Sequence, residues 1–416
     1  MAGKEDENRF IPFDAGWPQD LQHRADPNRI TSLQVVSAGE APAVQPSTGH
    51  GVPSPTVVEA SSPAVPYTQN LHVEPSYYDV SILKPPPWRW EVAWYFFLGG
   101  LSAGAYVIAR VAERAGGDAC RDVGRAGAYT ALLTFIPCPA LLIHDLGDPV
   151  RFHHMLRVWK PSSPMNFGTW SIVGYGGMAT AEALRQWMLD RYPPAQRGPM
   201  LLKVNRILEL LHDALGIPFA LSVAGYTGVL LSCTSNPLWT KNQWLGPLFS
   251  ASAIGTGAAA MTLALKATGK CNTERTRYPA VLEHIDTAAH AVEAATLAGY
   301  FREAGEKAAT LRRGRMKPHM ALMAGALILG EVIKRLPLRG KARRVVGTAS
   351  AVLSLASGFV LRWTMIHGGH EAANDPHTAR LSSRPGRSKL RPYASTPAPG
   401  SPSPKRLAAR QLMPAR

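Results

Sequence analysis

Residues 88–107 read WRWEVAWYFFLGGLSAGAYV, and this stretch decides the fold of the chain. It is almost entirely apolar after its first residues, and its length is close to the ~20 residues that a transmembrane helix needs. A helix rises about 1.5 Å per residue, so such a segment crosses the roughly 30 Å hydrocarbon layer of a bilayer. Gly100 and Gly104 are four residues apart, which predicts close packing against a second membrane helix.

Seven more apolar segments of similar length follow in the 416-residue chain. Together with the first, they lie at about residues 91–110, 125–144, 168–189, 209–232, 245–265, 283–301, 319–336 and 345–365. Backbone groups in lipid must be satisfied within the protein, which favours helices. We therefore predict an all-α integral membrane protein, an eight-transmembrane-helix bundle over residues 88–366. Pro137 and Pro139 should kink its second helix.

The sixth segment, VLEHIDTAAHAVEAATLAGY at residues 281–300, is unusual because it carries five ionisable side chains. A soluble amphipathic helix is the alternative interpretation of this pattern. If the segment spans the membrane, its ionisable groups must face protein or water, and they are then functional candidates.

The two ends of the chain differ in composition from the middle. Residues 1–87 and 367–416 are polar and rich in proline and serine. Such a composition cannot bury a core, so we predict two disordered tails. The first ten residues are rich in charge and no apolar stretch follows them, so we expect no signal peptide.

Charge and cysteine usage exclude several classes of function. The chain has 45 Lys and Arg against 29 Asp and Glu, a formal net charge of +16. The basic residues lie between the apolar segments and in the C-terminal tail, which favours contact with lipid headgroups and argues against nucleic acid. The 4 cysteines are far apart, so we expect no iron–sulfur cluster, no disulfide framework and no metal site in this chain.

The distribution of basic residues among the loops predicts an orientation. Loops that follow odd-numbered segments carry about 19 Lys and Arg, against about 10 in the other loops between segments. The richer side should be cytoplasmic, which leaves both termini outside.

The densest group of ionisable residues lies in LLIHDLGDPVRFHHMLRVWKPSSPMNFGTW, residues 141–170. An apolar helix runs directly into His144 and Asp145, and Asp148, Arg151 and two further histidines follow. Charges at the end of a membrane helix cost desolvation energy unless they have partners, so this stretch is a candidate functional site. A structural turn pinned by Asp148 and Arg151 is the simpler alternative.

This stretch resembles the signature of the NrfD/PsrC family, the membrane subunits of polysulfide-reductase-like complexes. Residues 88–107 resemble the first helix of that family, and GIPFALSVAGYTGVLLSCTSNPLW at residues 216–239 resembles its fourth. The resemblance covers about residues 85–370.

The resemblance implies a haem-free subunit of the bacterial inner membrane that exchanges electrons with a quinone, either menaquinone or ubiquinone. Family members pass these electrons between the quinone pool and a ferredoxin-like subunit with 4Fe-4S clusters. A molybdopterin oxidoreductase subunit often completes the respiratory complex. The chain itself would then be either the non-catalytic or the quinone-site subunit of an oxidoreductase complex.

Quinone chemistry requires hydrogen-bond partners for two oxygens, apolar walls for the ring and titratable groups for two protons. The candidate quinone-binding residues are Tyr226, His144, Tyr95, Glu91 and Trp94. The candidate proton-transfer residues are His144, Asp145, Glu209, Asp213, His290 and Glu293. The candidate partner-docking residues are Arg151, His154 and Arg157.

Two other functions remain open at the level of sequence. A di-haem cytochrome b-type anchor needs facing histidines, which His212, His290 and His319 could supply. A transporter without redox chemistry is the second alternative, although the two halves of the chain show no convincing internal repeat.

Overall fold

The computed structural model describes residues 81–383, except 82, 117–119, 193–195, 197 and 269–277. Most of the two predicted tails therefore lies outside the described residues. Within this part of the chain, the regular elements are the α-helices α1 (Trp90–Gly116), α2 (Arg121–Phe135), α3 (Pro137–Asp145), α4 (Pro164–Arg191), α5 (Pro199–Leu211), α6 (Ile217–Ser232), α7 (Leu245–Ala267), α8 (Tyr278–Ala304), α9 (Ala309–Arg313), α10 (Lys317–Lys334), α11 (Gly340–Asn374) and α12 (Pro376–Ser383). Short 3₁₀ helices at Pro149–Leu156 and Gly305–Ala308, and a π-helical turn at His212–Gly216, complete the set.

The all-helical architecture agrees with the prediction from sequence. Each of the eight predicted segments falls on helix, although several of the helices begin or end outside the predicted bounds, as Gly340–Asn374 does around 345–365. Among the residues that the structure describes, five stretches are long and apolar enough to cross a membrane: Trp90–Gly116, Arg121–Asp145, Pro199–Ser232, Leu245–Ala267 and Gly340–Asn374. A sixth span results if Ala280–Arg313 and Lys317–Lys334, which meet at 98°, are counted together. Length and composition thus support five or six spans, where the sequence predicted eight.

The helix of the second segment is interrupted at the predicted position. Helix α2 ends at Phe135, Ile136 forms a turn, and α3 begins at Pro137. A proline ring cannot donate to the preceding turn and clashes with it, which is why the helix breaks here. The π-helical turn at His212–Gly216 comes just before Pro218 in the same way, and it joins α5 and α6 into one bent rod.

Small residues let the helices of the core approach closely. A Cβ added at Gly104 of α1 would lie 2.0 Å from the Ala253 carbonyl oxygen of α7. From the other side, a Cβ on Gly257 would lie 2.5 Å from the Ala105 nitrogen. The close packing expected at Gly104 is therefore real, and the sequence did not identify α7 as the partner.

The last long helix extends eight residues beyond the predicted boundary at residue 366, to Asn374. Its final turns pack onto the loop between α6 and α7. Gly369 lies directly beneath the buried Trp239 ring, where a Cβ would come within 1.9 Å of the indole. The helix continues because these small residues have a surface to pack on, a fact that local composition does not reveal.

Candidate functional site

A cavity of about 350 Å³ opens at the end of the bundle where α1 begins and α3 ends. Its walls come from α1, α2, α3, α4 and α6 and from the 3₁₀ helix Pro149–Leu156. Most of the lining is aromatic or aliphatic, and the side chains with polar groups are Tyr95, Tyr226, Asp145, Thr169 and Trp88. An apolar pocket with a few convergent polar groups is the usual form of a site for an aromatic small molecule.

Two tyrosines form the polar end of this cavity. The hydroxyl groups of Tyr95 on α1 and Tyr226 on α6 hydrogen-bond to each other, and both side chains are buried. Helix α4 can approach Tyr226 because Gly168 lies against the ring, where a Cβ would come within 2.3 Å. Both tyrosines were predicted as quinone-binding residues, and the structure brings them together.

Asp145 and Glu91, the two acidic residues predicted at the site, lie at different positions relative to the cavity. Asp145 lines the cavity. Glu91 is buried behind the lining, with Oε1 3.0 Å from His144 Nδ1 and with no hydrogen-bond partner for Oε2 among the described residues. The His144 side chain is 70% exposed and does not line the cavity. The predicted contact of His144 with the cavity interior is therefore replaced by a contact with Glu91.

Trp94 does not line the cavity, contrary to its prediction as a quinone contact. Its ring packs against Phe359 of α11 with centroids 4.5 Å apart, and the side chain is 38% exposed. Neighbouring residues on a helix point about 100° apart, so Tyr95 faces the cavity while Trp94 faces outward.

The segment between α3 and α4 covers the cavity. Phe152, Met155 and Leu156 of its 3₁₀ helix line the cavity on their inner side. The predicted docking residues Arg151, His154 and Arg157 are exposed on this segment. Arg151 pairs with Asp148 at 2.9 Å, as the simpler interpretation of this turn expected.

A group of buried and partly exposed charges, here called the first ion cluster, joins α1, α4, α5 and the π-helical turn His212–Gly216. It comprises Arg110, Glu113, Glu182, Arg185, Glu209 and Asp213, with His212 beside them. Arg185 donates to Glu182 at 2.6 Å and to Glu209 at 3.2 Å, and it also pairs with Glu113. Arg110 donates to Asp213 at 2.8 Å. Buried arginines in a membrane protein need carboxylates or backbone carbonyls as partners, and carboxylates surround both arginines here.

Sequence reasoning singled out Glu209 and Asp213 but missed most of this cluster. The sequence feature that could have indicated the cluster is the spacing of Arg110 with Glu113 and of Glu182 with Arg185. Each pair is three residues apart within an apolar helix and therefore shares one face.

Polar contacts lead from the first ion cluster towards the cavity. His212 Nδ1 lies 2.9 Å from the Tyr106 hydroxyl, and the Tyr106 ring touches that of Tyr175. The Tyr175 hydroxyl is 2.7 Å from Ser102 Oγ. The Tyr175 ring also packs on Phe135, which lines the cavity.

A second ion cluster lies between α8, α10 and α11 and comprises Asp286, His290, Glu331 and Lys334. Lys334 Nζ is 2.6 Å from both Asp286 and Glu331. His290 bonds to Glu331 through Nδ1 at 2.8 Å and to Ser354 through Nε2 at 2.9 Å. Asp286, His290 and Glu293 of the sixth predicted segment are thus buried in protein, as a membrane-spanning position requires, whereas His284 is exposed.

The predicted proton-transfer residues are therefore divided. Glu209 and Asp213 belong to the first ion cluster and His290 to the second, and the hydrogen bonds and ion pairs of the described residues do not join the two. Glu293, one turn beyond His290, is buried with one unpartnered oxygen. Arg362 is 1% exposed and donates to the Phe249 carbonyl at 3.2 Å.

Ligand atoms of Asp286, His290 and Glu331 lie within 4.8 Å of one another, a spacing compatible with a metal ion. The Lys334 ammonium already supplies a positive charge at this point. Both nitrogens of His290 are engaged in hydrogen bonds, so neither is free to ligate a haem iron in this structure.

Fold and site define an all-helical membrane protein that holds an apolar cavity with a tyrosine pair at one end of its bundle. The family model described as "Polysulphide reductase, NrfD" matches residues 81–372, most of the chain. The chain belongs to this family, which confirms the resemblance carried by the three motifs.

Two of the three relatives described here are named as components of reductases. Identity is 31% over 179 residues to a polysulfide reductase chain of Wolinella succinogenes, which covers 41% of this protein and 55% of the relative. The chain is 30% identical over 207 residues to protein NrfD of Escherichia coli K12, and the match covers 45% of this protein and 63% of the relative. The chain is 26% identical over 205 residues to a selenate reductase subunit of Mesobacillus selenatarsenatis, and the match covers 42% of this protein and 46% of the relative. The protein thus spans about half the length of the curated relatives that it matches.

Proposed function

We propose that this chain is the quinone-reactive membrane subunit of a respiratory oxidoreductase complex. Its role is to pass electrons between the quinone pool and an iron–sulfur partner subunit. The observation that carries the proposal is the apolar cavity that ends at the Tyr95–Tyr226 pair. Family membership and the names of the relatives, two of which are reductase subunits, support the same role.

The cavity fits the chemistry of a quinone ring. Its aromatic and aliphatic walls suit a flat apolar ring. The two phenols can donate to a quinone oxygen, or donate to and accept from a quinol hydroxyl. Buried phenols seldom lack a hydrogen-bond partner, so their mutual bond keeps both satisfied until a substrate oxygen replaces it.

Oxidation of a quinol releases two electrons and two protons. Asp145 lines the cavity and is the residue placed to accept a proton there. The next step of proton transfer uses the buried Glu91 and the exposed His144, because their contact connects the protein interior to the water outside.

The two ion clusters provide candidate routes for protons from the opposite end of the bundle. The first ion cluster approaches the cavity through Tyr106 and Tyr175. This arrangement assigns Glu209 and Asp213 to one route, and His290 with Glu293 to a separate one.

The proposed partner surface is the segment that covers the cavity. Arg151, His154 and Arg157 are exposed there, directly above the walls that would hold the ring. A ferredoxin-like 4Fe-4S subunit docked on this face would lie close to the quinone, and a molybdopterin subunit would complete the complex. The loop-charge rule assigns this face to the outside of the bacterial inner membrane.

A cavity-filling substitution tests the proposal. Gly177 lines the cavity, and a side chain built there meets nothing within 4 Å. Gly177→Phe should therefore fill the cavity without breaking a packed contact. Gly325→Phe is the matched control, because Gly325 is a helical glycine on α10 with equally open space and does not line the cavity.

The first measurement is binding of a decyl-substituted quinone to the purified chain, and the second is quinol-dependent electron transfer in membranes. Wild-type protein and Gly325→Phe should bind the quinone, and Gly177→Phe should not. Equal binding by all three proteins would place the quinone outside this cavity. Failure of the wild-type chain to bind would contradict the function itself.

A further inference from the structure

One wall of the cavity is formed by a residue that precedes the first membrane helix. Among the described residues that line the cavity, Trp88 alone lies before α1. It is half-buried, and it belongs to a short segment that crosses the end of the bundle. Ser81, in the same segment, bonds to the Ala373 carbonyl near the end of α11.

Trp88 is held in place by the end of α11 and by the loop that precedes α7. His370 Nε2 lies 2.6 Å from the Trp88 carbonyl oxygen, so it is the donor of this hydrogen bond. The Trp88 ring stacks on Trp239, with centroids 5.5 Å apart and planes inclined by 25°. One face of Trp88 is therefore occupied by another ring, and its remaining surface is available to the cavity.

Trp239 is itself immobilised. Its side chain is fully buried, and its indole N–H donates to the Met365 carbonyl at 3.0 Å. Gly369 lies beneath the ring, and Asn236 anchors the loop to the Gly369 carbonyl at 2.8 Å. The final turns of α11 thus provide a rigid base for two stacked tryptophans.

We propose that Trp88 recognises the quinone ring by its aromatic surface and that His370 is the residue that positions Trp88. The inference rests on the quinone function proposed above. A fixed aromatic wall binds a flat ring without a further loss of side-chain freedom. Aromatic rings prefer offset-stacked or edge-to-face contacts, and a bicyclic ring has more surface to offer than a monocyclic one.

Trp88 therefore contributes more to the binding of a naphthoquinone than to that of a benzoquinone. A tryptophan that merely anchors the chain at the membrane interface would contribute equally to both. Ring-size discrimination is the property that separates the two roles.

The experiment measures dissociation constants of the purified full chain for decyl-naphthoquinone and decyl-benzoquinone. Trp88→Leu should weaken naphthoquinone binding by roughly 2- to 10-fold, the contribution of one aromatic pair, and benzoquinone binding by less. Trp88→Phe should fall between Leu and Trp. Trp94→Leu is the matched control, because Trp94 belongs to the same end of α1 but packs outward on Phe359.

The role of His370 is tested by a second pair of variants. His370→Ala removes the donor to the Trp88 carbonyl and should lower the discrimination between the two rings. His370→Gln keeps an N–H donor at similar reach and should restore it. These variants also decide the question if Trp88→Leu does not fold.

An unchanged ratio of the two dissociation constants in Trp88→Phe and His370→Ala, with normal binding by wild-type protein, would overturn this inference and leave the quinone function standing. Failure of the wild-type chain to bind either quinone would instead contradict the quinone function.

Discussion

The Tyr95 and Tyr226 hydroxyl groups hydrogen-bond to each other between α1 and α6, at the polar end of an apolar cavity. The residues are 131 positions apart in the chain, and each is the other's buried partner. Removing either hydroxyl leaves the second without this partner, so the pair acts as one unit in binding.

Tyr226→Phe should raise the apparent KM for quinol by roughly 2- to 10-fold, the effect of losing one hydrogen bond of about 0.5–1.5 kcal/mol. Tyr95→Phe should act similarly, and the double variant should cost less than the sum, because both singles remove the same bond. Quinol-dependent electron transfer in membranes measures this, with subunit amounts checked by immunoblot. Unchanged kinetics in both single variants would mean that the ring oxygen of the quinol does not bind at the tyrosines.

Glu91→Gln should lower turnover by roughly 10²-fold, because an amide retains the volume of the carboxylate but does not accept a proton. His144→Ala should lower turnover by less, since water can reach Glu91 once the imidazole is removed. His153→Ala is the control, because His153 is exposed and bonds to the Val150 carbonyl of its own segment. Normal turnover in Glu91→Gln would show that protons leave through another group, with Asp145 the next candidate.

Reversing the charge of Arg151 and Arg157 together should release the iron–sulfur subunit while the membrane protein stays inserted. Both side chains are exposed on the segment that covers the cavity, so their loss disturbs no buried contact. Co-purification from detergent extracts measures the release. Arg344→Glu, exposed at the start of α11, should leave the complex intact. Survival of the complex after the double reversal would exclude this docking face.

Reporter fusions at about residues 195 and 340 should indicate the cytoplasm, and a fusion at about residue 160 should indicate the outside. The basis is the excess of Lys and Arg in loops that follow odd-numbered segments. A cytoplasmic signal at residue 160 would invert the topology and move the cavity end to the cytoplasmic side.

Arg185→Leu should destabilise the protein by about 3–5 kcal/mol, because it leaves the buried Glu182 and the largely buried Glu113 with Arg110 as their one remaining arginine partner. Thermal unfolding of the detergent-solubilised chain measures the loss. Arg114→Leu should cost less than about 1 kcal/mol, since Arg114 is 69% exposed and pairs at 3.3 Å with Asp213. Equal losses in both variants would mean that the first ion cluster does not stabilise the fold.

Much of the architecture follows from local properties of the sequence. The length and polarity of the apolar segments predict membrane helices, because the bilayer thickness and the demand for internal hydrogen bonds act on each segment separately. Pro137 interrupts its helix for the same local reason. The three family motifs are also contiguous stretches, so family membership and the candidate tyrosines could be identified before any contact was known.

The tertiary structure alone decided which of these residues meet. Tyr95 and Trp94 are adjacent in sequence, yet one lines the cavity and the other faces outward, because the rotation of α1 is set by its contacts with α6, α7 and α11. The partners of Arg185 lie on α1, α4 and α5, and composition does not predict such pairings. Trp88 becomes a cavity wall only because α11 continues past residue 366 and presents His370 to it. A buried charge or an aromatic wall depends on which helices are neighbours, and that information is distributed over the whole chain.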